Sequence, residues 1–475
     1  MYDVVVIGAG ITGSLIALGL SKFTLQTVVL EKNNDIADGA TMANSAIVHT
    51  GYDPEDGTLK ARLNVEGARL YPQLMKDLGC MYKQVGAYVA ACGSEEEKKL
   101  EVLADRARRR DIPHAFLTGC EARRCEPFLS DHVTKVLSFP TTAVIYPWEV
   151  AIAAMETAVN NGTKLHLNTE VEEIVKKEDG FIVKTNQGDF ETKIVISCAG
   201  THAEEIASMV SKQVPYQIRP RKGEYYVLAK DTNFVQHIIF PVPGPKGKGV
   251  LAVPTVYGNV LIGPNSAYCN DPDSTSHTIE GLAEVKQNIN KTMKDVPFQQ
   301  VIRSFAGLRP SSTSKDFVIT EYDDAPGFID AASIESPGLA SAPAIASYVI
   351  TNFVKKHLLL VEDPNAVMTR KRPLVMSELS EDKRNEVIRK DPAYGNIICR
   401  CEKISEGEIR DAVQRVCGAI SVKGIKKRIR PGMGKCQGGF CEPHVLALLV
   451  KYTGQDPLAV VLDNAGSNIL KGENR

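Results

Sequence analysis

Residues 3–20 read DVVVIGAGITGSLIALGL, and the hydrophobic period changes in the middle of this stretch. The β-branched run at 3–7 predicts a short strand, and residues 14–22 have the apolar spacing of a helix. Residues 27–31, TVVLE, predict a second strand. A strand, a helix and a second strand within about thirty residues form the unit from which doubly wound parallel sheets are built. The opening of the chain therefore predicts an α/β fold.

The turn between the first strand and the helix carries a G-x-G-x-x-G pattern. Gly8 permits a tight turn, Gly10 lets a pyrophosphate approach the backbone at the helix N-terminus, and Gly13 lets the helix pack closely on the strand. Glu31 closes the second strand, where its carboxylate can accept hydrogen bonds from ribose hydroxyls. The combination predicts a dinucleotide site, whereas the glycines alone would equally fit a structural turn.

Composition restricts the other classes of function. The 475 residues carry a net charge of −1, which gives no electrostatic argument for nucleic acid or an anionic membrane as a partner. No apolar run is long enough to span a bilayer. The apolar start lacks a basic leader region, so we expect a mature cytoplasmic protein. Eleven cysteines in a chain of this length indicate free thiols in a reducing compartment, with a metal site as one use for them.

A long loop of small residues follows Glu31 and indicates which dinucleotide is bound. The segment GATMANSAIVHTGYDPEDGTLKA, residues 39–61, resembles the flavin loop of the D-amino-acid-oxidase-like family of FAD-dependent oxidoreductases. More narrowly, residues 44–61 are similar to L-2-hydroxyglutarate oxidases and to bacterial FAD-linked glycerol-3-phosphate dehydrogenases. Residues 141–174, 194–200 and 305–345 resemble later segments of the same family in the expected order.

This resemblance implies FAD as the cofactor and a discontinuous FAD-binding domain at 1–80, 141–212 and 305–360. The segments 81–140 and 213–304 would form a substrate domain around an antiparallel sheet, in which RPRKGEYYVL, 219–228, is the opening strand. The FAD contacts that we expect are Gly8, Gly10, Ile11, Thr12, Gly13, Glu31, Lys32, Thr41, Asn44, Ser45, Val171, Gly200, Gly338 and Leu339.

Two residues are candidates for the chemistry. His49 matches the family's flavin-loop histidine, and an imidazole that titrates near neutrality suits the proton acceptor in an oxidation; the alternative is a histidine that only hydrogen-bonds the cofactor or the loop. Arg309, in GLRP, matches an arginine that holds the substrate's anionic end, because a guanidinium fits a carboxylate or phosphate. A surface arginine is the other interpretation.

A second group of candidates lies on the expected substrate strand. Arg221 and Lys222 would favour a dianionic phosphate, or they would be solvated residues protecting a strand edge. Tyr225 and Tyr226 alternate faces of the strand, so at most one points into the site. We name Tyr225 as the substrate contact.

The C-terminal part of the chain is a separate unit. Residues 361–395 are charged and punctuated by proline, which is typical of a linker with a short helix. Beyond it, Cys399-x-Cys401 and Cys436-x4-Cys441 could hold zinc or an iron–sulfur cluster, although neither pair has the spacing of a zinc knuckle. The helical stretch between them begins with a capping box of Ser405 and Glu408.

This unit resembles the bacterioferritin-associated-ferredoxin-like [2Fe-2S] domain, with RPGMGKCQGGFCEPHVL as the most similar stretch. The resemblance implies a [2Fe-2S]-binding domain at 396–455 with all four cysteines as ligands, followed by a tail at 456–475. The other cysteines are interpreted as buried small hydrophobic residues. They are Cys80, Cys92, Cys120, Cys125, Cys198, Cys269 and Cys417.

Together the two units predict an FAD- and [2Fe-2S]-containing dehydrogenase, since a flavin takes an electron pair and such a cluster takes single electrons. The resemblance implies oxidation of sn-glycerol 3-phosphate to dihydroxyacetone phosphate, with a protein or a quinone-linked subunit as electron acceptor. An acceptor of that kind would place the enzyme peripherally at the inner membrane face. A 2-hydroxy-acid dehydrogenase or oxidase and an amine or amino-acid dehydrogenase remain alternatives, as does a cluster with only a structural or regulatory role.

Overall fold

A mixed sheet of eight strands forms the centre of the first half of the fold. The computed structural model describes residues 1–244 and 247–472. In this sheet Tyr2–Ile7 lies between Thr27–Leu30 and Gly188–Ser197, and all three run parallel. The eight strands are Tyr2–Ile7, Thr27–Leu30, Lys164–His166, Val171–Lys177, Gly180–Thr185, Gly188–Ser197, Val318–Tyr322 and Ala325–Ala332.

Four helices cover one face of this sheet and form the largest hydrophobic core. They are Ile11–Leu20, Leu59–Asp77, Pro147–Asn160 and Gly338–Val349. Apolar residues on nearly every side of Ile11–Leu20 are buried, as expected for a helix enclosed by others. The predicted strand, helix and strand at the N-terminus are confirmed.

A second sheet, of nine strands, supports the other side of the molecule. It is antiparallel except where Ile238–Pro241 runs parallel to Ala87–Ala91. Its strands are Ala87–Ala91, Ala115–Thr118, Lys135–Phe139, Arg221–Leu228, Ile238–Pro241, Leu251–Pro254, Val260–Gly263, Ala267–Tyr268 and Val301–Arg309. Helices accompany it at Ser94–Arg109, Gly119–Cys125 and Ile279–Asn288.

Val301–Arg309 pairs along most of its length with Arg221–Leu228. The second sheet therefore extends past residue 304, where the sequence analysis ended the substrate domain. Backbone pairing over such a separation has no local sequence signal. The other domain bounds stay a prediction.

Smaller elements connect the two sheets and complete the C-terminal unit. A three-stranded sheet joins Ile47–Val48, Ala143–Ile145 and Tyr82–Gln84. The C-terminal unit has its own hydrophobic core and a two-stranded sheet, Ile397–Cys399 and Ile404–Ser405. Its helices are Glu406–Gln414, Val422–Ile429 and Glu442–Thr453. The predicted α/β fold with a C-terminal helical domain is confirmed.

The segment before this unit lies against the first half of the fold. The backbone of Thr24 donates to the carbonyl of Val361, and Arg370 makes a buried ion pair with Glu156 (Nε–Oε2 2.6 Å). Within this segment, the short helix Glu381–Lys390 has no buried residue. Two further short helices, Ala203–Ser208 and Lys355–His357, lie earlier in the chain. The segment is thus held along part of its length, which its charged composition did not indicate.

The interpretation of the seven remaining cysteines as buried is wrong for two of them. Cys120 and Cys125 are exposed, while Cys80, Cys92, Cys198, Cys269 and Cys417 are partly buried. Both exposed thiols lie on the short helix Gly119–Cys125, which buries only Gly119 and Ala122. A helix of two turns has too narrow an inner face to bury every apolar residue.

Within the described residues, no helix combines the length and the apolar character needed to cross a membrane.

Candidate functional site

The glycine turn is built so closely that side chains cannot enter it. A Cβ at Gly8 would lie 2.6 Å from the carbonyl oxygen of Cys198, and one at Gly13 would lie 1.9 Å from the carbonyl oxygen of Gly8. Gly8 also has a φ of +100°, which favours glycine. Gly10 precedes the helix and supplies no side-chain cap, and of the first-turn amides at the edge of the cavity that of Ile11 donates to Thr41 Oγ1 (2.9 Å). This is the backbone cradle that a pyrophosphate requires.

Glu31 is buried at the end of the second strand beside this cradle. Its Oε2 accepts from the backbone N–H of Ala9 (2.8 Å), and its Oε1 accepts from that of Asn33 (2.9 Å). Burial raises the pKa of the Glu31 carboxyl, in spite of these two bonds. The carboxylate is therefore fixed where a ribose would reach it.

A cavity of about 1440 Å³ extends from this cradle to the second sheet. Its volume and the glycine cradle fit an extended dinucleotide such as FAD. The predicted residues that line it are Gly8, Gly10, Ile11, Thr12, Glu31, Lys32, Thr41, Asn44, Ser45, His49, Val171, Gly200, Arg221, Tyr225, Arg309, Gly338 and Leu339.

Two predicted residues do not line the cavity. Gly13 lies beneath the turn, where it allows the helix to approach the strand. The Nζ of Lys222 donates to the carbonyl of Ser276 (2.8 Å) and to Ser274 Oγ (3.1 Å). Lys222 as a substrate ligand is therefore wrong, because strand alternation directs its side chain away from its neighbour Arg221.

His49 lies at the inner end of the cavity, where it packs against the ring of Phe240. Its backbone carbonyl accepts from Asn64 Nδ2 (2.7 Å), which fixes the loop. Burial lowers the pKa of the imidazole well below its usual range, and the neighbouring ammonium of Lys248 lowers it further. The imidazole is consequently neutral at physiological pH and able to accept a proton.

Arg309 lines the same cavity as His49 and is partly buried. Its guanidinium makes long contacts to the backbone carbonyls of Lys222 and Asn265, 3.3 Å each. A Cβ at Gly223 would lie 2.6 Å from Arg309 Nη2, so the glycine provides the space for the guanidinium. Burial lowers the pKa of Arg309, although the neighbouring Tyr225 side chain acts to raise it. Among residues 1–244 and 247–472, no carboxylate lies within salt-bridge distance of Arg309. Such a cation is suited to an anionic ligand.

Arg221 is a second cation of this cavity, and it is already paired. Its Nη2 lies 3.1 Å from Glu335 Oε2, and Glu335 also binds Lys60 Nζ (2.9 Å). Burial raises the pKa of Glu335, but Lys60, Ser311 and Arg221 together outweigh it, so the pKa is lowered. Arg221 therefore presents less free charge to the cavity than Arg309 does.

Tyr225 is the tyrosine of the pair that faces the cavity. Its hydroxyl lies 3.1 Å from Ser45 Oγ, and its ring stacks on Phe305 at 4.6 Å. Tyr226, on the other face of the strand, packs edge-on against Phe298. Burial raises the pKa of Tyr225, so its hydroxyl stays protonated and can donate.

Sequence reasoning missed Lys248, which lies beside His49. Its Nζ is 3.5 Å from His49 Nδ1 and 3.4 Å from Asp53 Oδ2. The segment around it, PVPGPKGKGV, has the composition of an ordinary turn. Only a contact across 199 residues of chain makes this lysine part of the cavity.

The four cysteines of the C-terminal unit meet as two close pairs. Cys401 Sγ and Cys436 Sγ are 3.8 Å apart, and the thiol of Cys399 is within hydrogen-bonding reach of Cys441. Among residues 1–244 and 247–472, no three His, Cys, Asp or Glu side chains converge as a single metal ion would require. In a [2Fe-2S] cluster each iron takes two thiolates, so two pairs fit its donor set.

The glycine-rich loop supplies amides to the sulfur atoms. The backbone N–H of Gly438, with a smaller contribution from that of Phe440, lowers the pKa of the Cys436 thiol. Amide donors of this kind stabilise an anionic cluster. A Cβ at Gly434 would lie 2.3 Å from the Cβ of Cys401, so a glycine is needed where the two cysteine-bearing loops approach each other.

The loop that carries Cys436 is anchored to the flavin side of the fold. Arg430 Nη1 and Met433 Sδ both lie 3.0 Å from the hydroxyl of Tyr146. Arg430 also stacks over Tyr257 at 4.0 Å and reaches Glu402. Tyr146 directly follows the strand that pairs with Ile47–Val48 of the flavin loop. The cluster unit therefore packs against Tyr146, which adjoins a strand paired with the flavin loop at the cavity.

Two sequence families match the chain. Residues 3–351 match the FAD dependent oxidoreductase family, and residues 397–451 match the BFD-like [2Fe-2S] binding domain. The predicted cofactors, FAD and a [2Fe-2S] cluster, are thereby confirmed.

Individual proteins extend this similarity to the full length. A glycerol 3-phosphate dehydrogenase of Caloramator mitchellensis is 42% identical over 100% of this chain and 99% of its own. A glycerol 3-phosphate oxidase of Mycoplasma genitalium is 30% identical over 73% of this chain and 93% of its own. The FAD-bound structure of L-alpha-glycerophosphate oxidase from Mycoplasma pneumoniae superposes with a TM-score of 0.75 at 28% identity, covering 79% of this chain and 99% of its own.

Proposed function

Since the chain belongs to the FAD dependent oxidoreductase family, we propose that it is a dehydrogenase that oxidises sn-glycerol 3-phosphate to dihydroxyacetone phosphate. The observation that carries this proposal is that one cavity holds a neutral His49 and the partly buried cation of Arg309, which forms no salt bridge within the described part of the chain. An alcohol with an anionic end fits these two groups. The glycerol 3-phosphate dehydrogenase and oxidase relatives support this substrate over a 2-hydroxy acid or an amino acid.

The phosphate would be bound by the cations of the inner end. Arg309 offers a planar fork for two phosphate oxygens, and Arg221 and Lys248 add positive charge at the same cavity. Tyr225 can donate a further hydrogen bond, because its hydroxyl remains protonated. Arg221 and Lys248 are each partly neutralised, by Glu335 and Asp53, but with Arg309 they suit a dianion better than a single carboxylate.

His49 would receive the proton of the substrate's secondary hydroxyl. As the O–H bond breaks, the carbon's hydride leaves and the carbonyl of the product forms, so the proton must have an acceptor within hydrogen-bonding reach. The neutral imidazole provides it, and Lys248 keeps that imidazole from being protonated beforehand. FAD supplies the hydride acceptor at N5, and the cluster supplies one-electron transfer to an outside acceptor.

The electron acceptor would be a protein or a quinone-linked subunit that meets the exposed side of the cluster domain. Cys401 is exposed, and the neighbouring loop presents Phe440 with 84% of its surface accessible. An acceptor at this position would be close to the cluster without entering the substrate cavity. A quinone-linked acceptor would hold the enzyme at the inner membrane face.

Anaerobic bleaching of the flavin absorbance band tests the substrate. We expect glycerol 3-phosphate to bleach the band within the time of a few turnovers, because hydride transfer needs no external acceptor. L-2-hydroxyglutarate and a panel of amino acids serve as comparisons under the same conditions. Bleaching by one of these, with none by glycerol 3-phosphate, would refute the proposed substrate.

A further inference from the structure

The C-terminal unit forms part of the wall of the nucleotide cavity. Lys423, Asp463 and Asn464 line the same cavity as Gly8, Gly10 and Glu31. These three residues lie far outside the match to the FAD dependent oxidoreductase family, which ends at residue 351. The cluster domain is thus close to the dinucleotide end of the cavity as well as to the inner end.

A buried ion cluster holds this wall in place. Arg428 is fully enclosed and makes a bidentate pair with Asp35, at 2.9 Å and 2.8 Å. Lys427 Nζ lies 3.0 Å from Asp35 Oδ2 and 3.1 Å from Asp38 Oδ1, and it donates to the carbonyl of Ile36 (2.7 Å). Asp35 and Asp38 belong to the loop that follows Glu31, so the helix Val422–Ile429 is fixed against the nucleotide-binding loop.

The position of Lys423 follows from two further contacts. Its Nζ forms an ion pair with Asp463 and lies 3.7 Å from Asp38 Oδ1. Asn34 Nδ2 donates to the backbone carbonyl of Asp463, so the tail is tied to the same loop. The ammonium group therefore has a fixed place at the cavity edge, on the first turn of its helix.

The loop that these residues hold is the one beside the ribose position. The backbone N–H of Ala37 donates to the carbonyl of Ala9 in the glycine turn (3.0 Å), and both Asp38 and Lys427 act electrostatically on Glu31. A cation at this edge faces the half of the cavity where a diphosphate and its adenosine would lie, rather than the half that contains His49.

We propose that Lys423, positioned by Asp38 and Asp463, binds the adenosine diphosphate half of FAD, so that the cluster domain contributes directly to retention of the flavin. The group recognised is an anionic dinucleotide, and because Asp463 and Asp38 partly neutralise Lys423, the ammonium would act mainly as a fixed, charge-assisted hydrogen-bond donor. This role concerns cofactor binding and does not depend on which substrate the enzyme oxidises.

Replacement of Lys423 by methionine tests the proposal, because methionine keeps most of the side-chain volume and removes the charge. In the complete protein carrying both cofactors, we expect FAD release, followed by the rise in flavin fluorescence after dilution, to become about tenfold faster. Lys423→Arg, which keeps the cation, is expected to restore retention. Lys451→Met is the matched control on the exposed side of the same unit.

Competition separates the two halves of the cofactor. ADP should compete with FAD about tenfold less well in Lys423→Met than in the unchanged protein, whereas FMN, which lacks the adenosine half, should compete equally in both. The cluster's absorbance band reports whether the C-terminal unit remains folded. Equal FAD release and equal ADP competition in Lys423→Met and the unchanged protein would overturn the proposal.

Discussion

At the residue scale, the proposed chemistry depends on His49 being neutral and on Arg309 having no salt-bridge partner among the residues that the structure describes. The sequence alone indicates both residues, because the short motifs that contain them resemble those of a known family. Their electrostatic states were not predictable, because those states depend on burial and on Lys248, a partner 199 residues away. The prediction for Lys222 failed for a similar reason. Its positive charge indicated a substrate ligand, but its position on the strand directs the side chain to the backbone of Ser276 instead.

Replacing His49 with glutamine removes the proposed proton acceptor while keeping a polar side chain of similar size. We expect the rate constant for flavin reduction by glycerol 3-phosphate to fall by about 10² to 10⁴, with the bound FAD spectrum retained. Rapid-mixing absorbance measures this rate. His114→Gln, at a partly buried histidine that binds the carbonyl of Ile112, should react normally, and an equal loss in both variants would indicate a general structural effect instead.

The pH dependence of the same rate tests the lowered pKa of His49. Burial, and then Lys248, disfavour the charged imidazole, so the base stays unprotonated as the pH falls through the ordinary value of about 6.5. We expect the rate of flavin reduction to decline only below that pH. Lys248→Met should raise the pKa of His49 and move the decline to higher pH, whereas Lys222→Met should not; identical profiles in all three proteins would argue against this electrostatic coupling.

At the scale of elements, the glycine turn with its two strands and helix was predictable because the signals are local. Period-2 and period-3.6 patterns and a fixed glycine spacing lie within one short stretch of chain. The placement of Val301–Arg309 in the second sheet could not be predicted, because its partner strand Arg221–Leu228 is distant in sequence. The cysteine spacing predicted a cluster, but only the folded loop reveals that the thiols meet as Cys401 with Cys436 and Cys399 with Cys441.

The cysteine loop gives a prediction that separates electron relay from a structural role. In Cys436→Ser we expect flavin reduction by substrate at the normal rate and loss of electron transfer to a one-electron dye, because one of the four thiolate ligands is missing. Steady-state dye reduction and anaerobic flavin bleaching measure the two steps. Cys120→Ser, at an exposed thiol outside the cluster domain, is the control; a variant that still reduces the dye normally would exclude the relay.

At the scale of the whole molecule, contacts at several places join the cluster domain to the rest of the fold, among them Arg415 with Glu156 (2.8 Å) and Lys230 with Glu402 (2.7 Å). Tyr146, Arg430 and Met433 connect it to the flavin loop, and Asp35 with Arg428 connects it to the nucleotide loop. The sequence predicted the domain but not its position, because single charged residues in a helix normally indicate a solvated face. The burial of Arg428 and Lys427 shows that this face is an interface.

Replacement of Arg428 by methionine should destabilise this interface. It leaves Asp35 buried without its bidentate partner, and removing one member of a buried pair typically costs about 3 to 5 kcal/mol in the free energy of unfolding. Burial raises the pKa of Asp35, but Arg428 and Lys427 outweigh it and lower the pKa. The stabilisation is thus present above the ordinary aspartate range and is lost as the pH falls through the lowered value. Denaturant unfolding at neutral pH measures the loss, with Lys451→Met expected to be unchanged.

The central claim, that one substrate supplies electrons to both cofactors of one chain, is tested most directly by an anaerobic titration with glycerol 3-phosphate. The absorbance bands of the flavin and of the cluster are followed together in the complete protein. Because the flavin takes two electrons and the cluster takes one, we predict that both bands reach their reduced endpoints at about 1.5 equivalents of substrate per chain. An endpoint at about one equivalent, with the cluster band unchanged, would contradict the account.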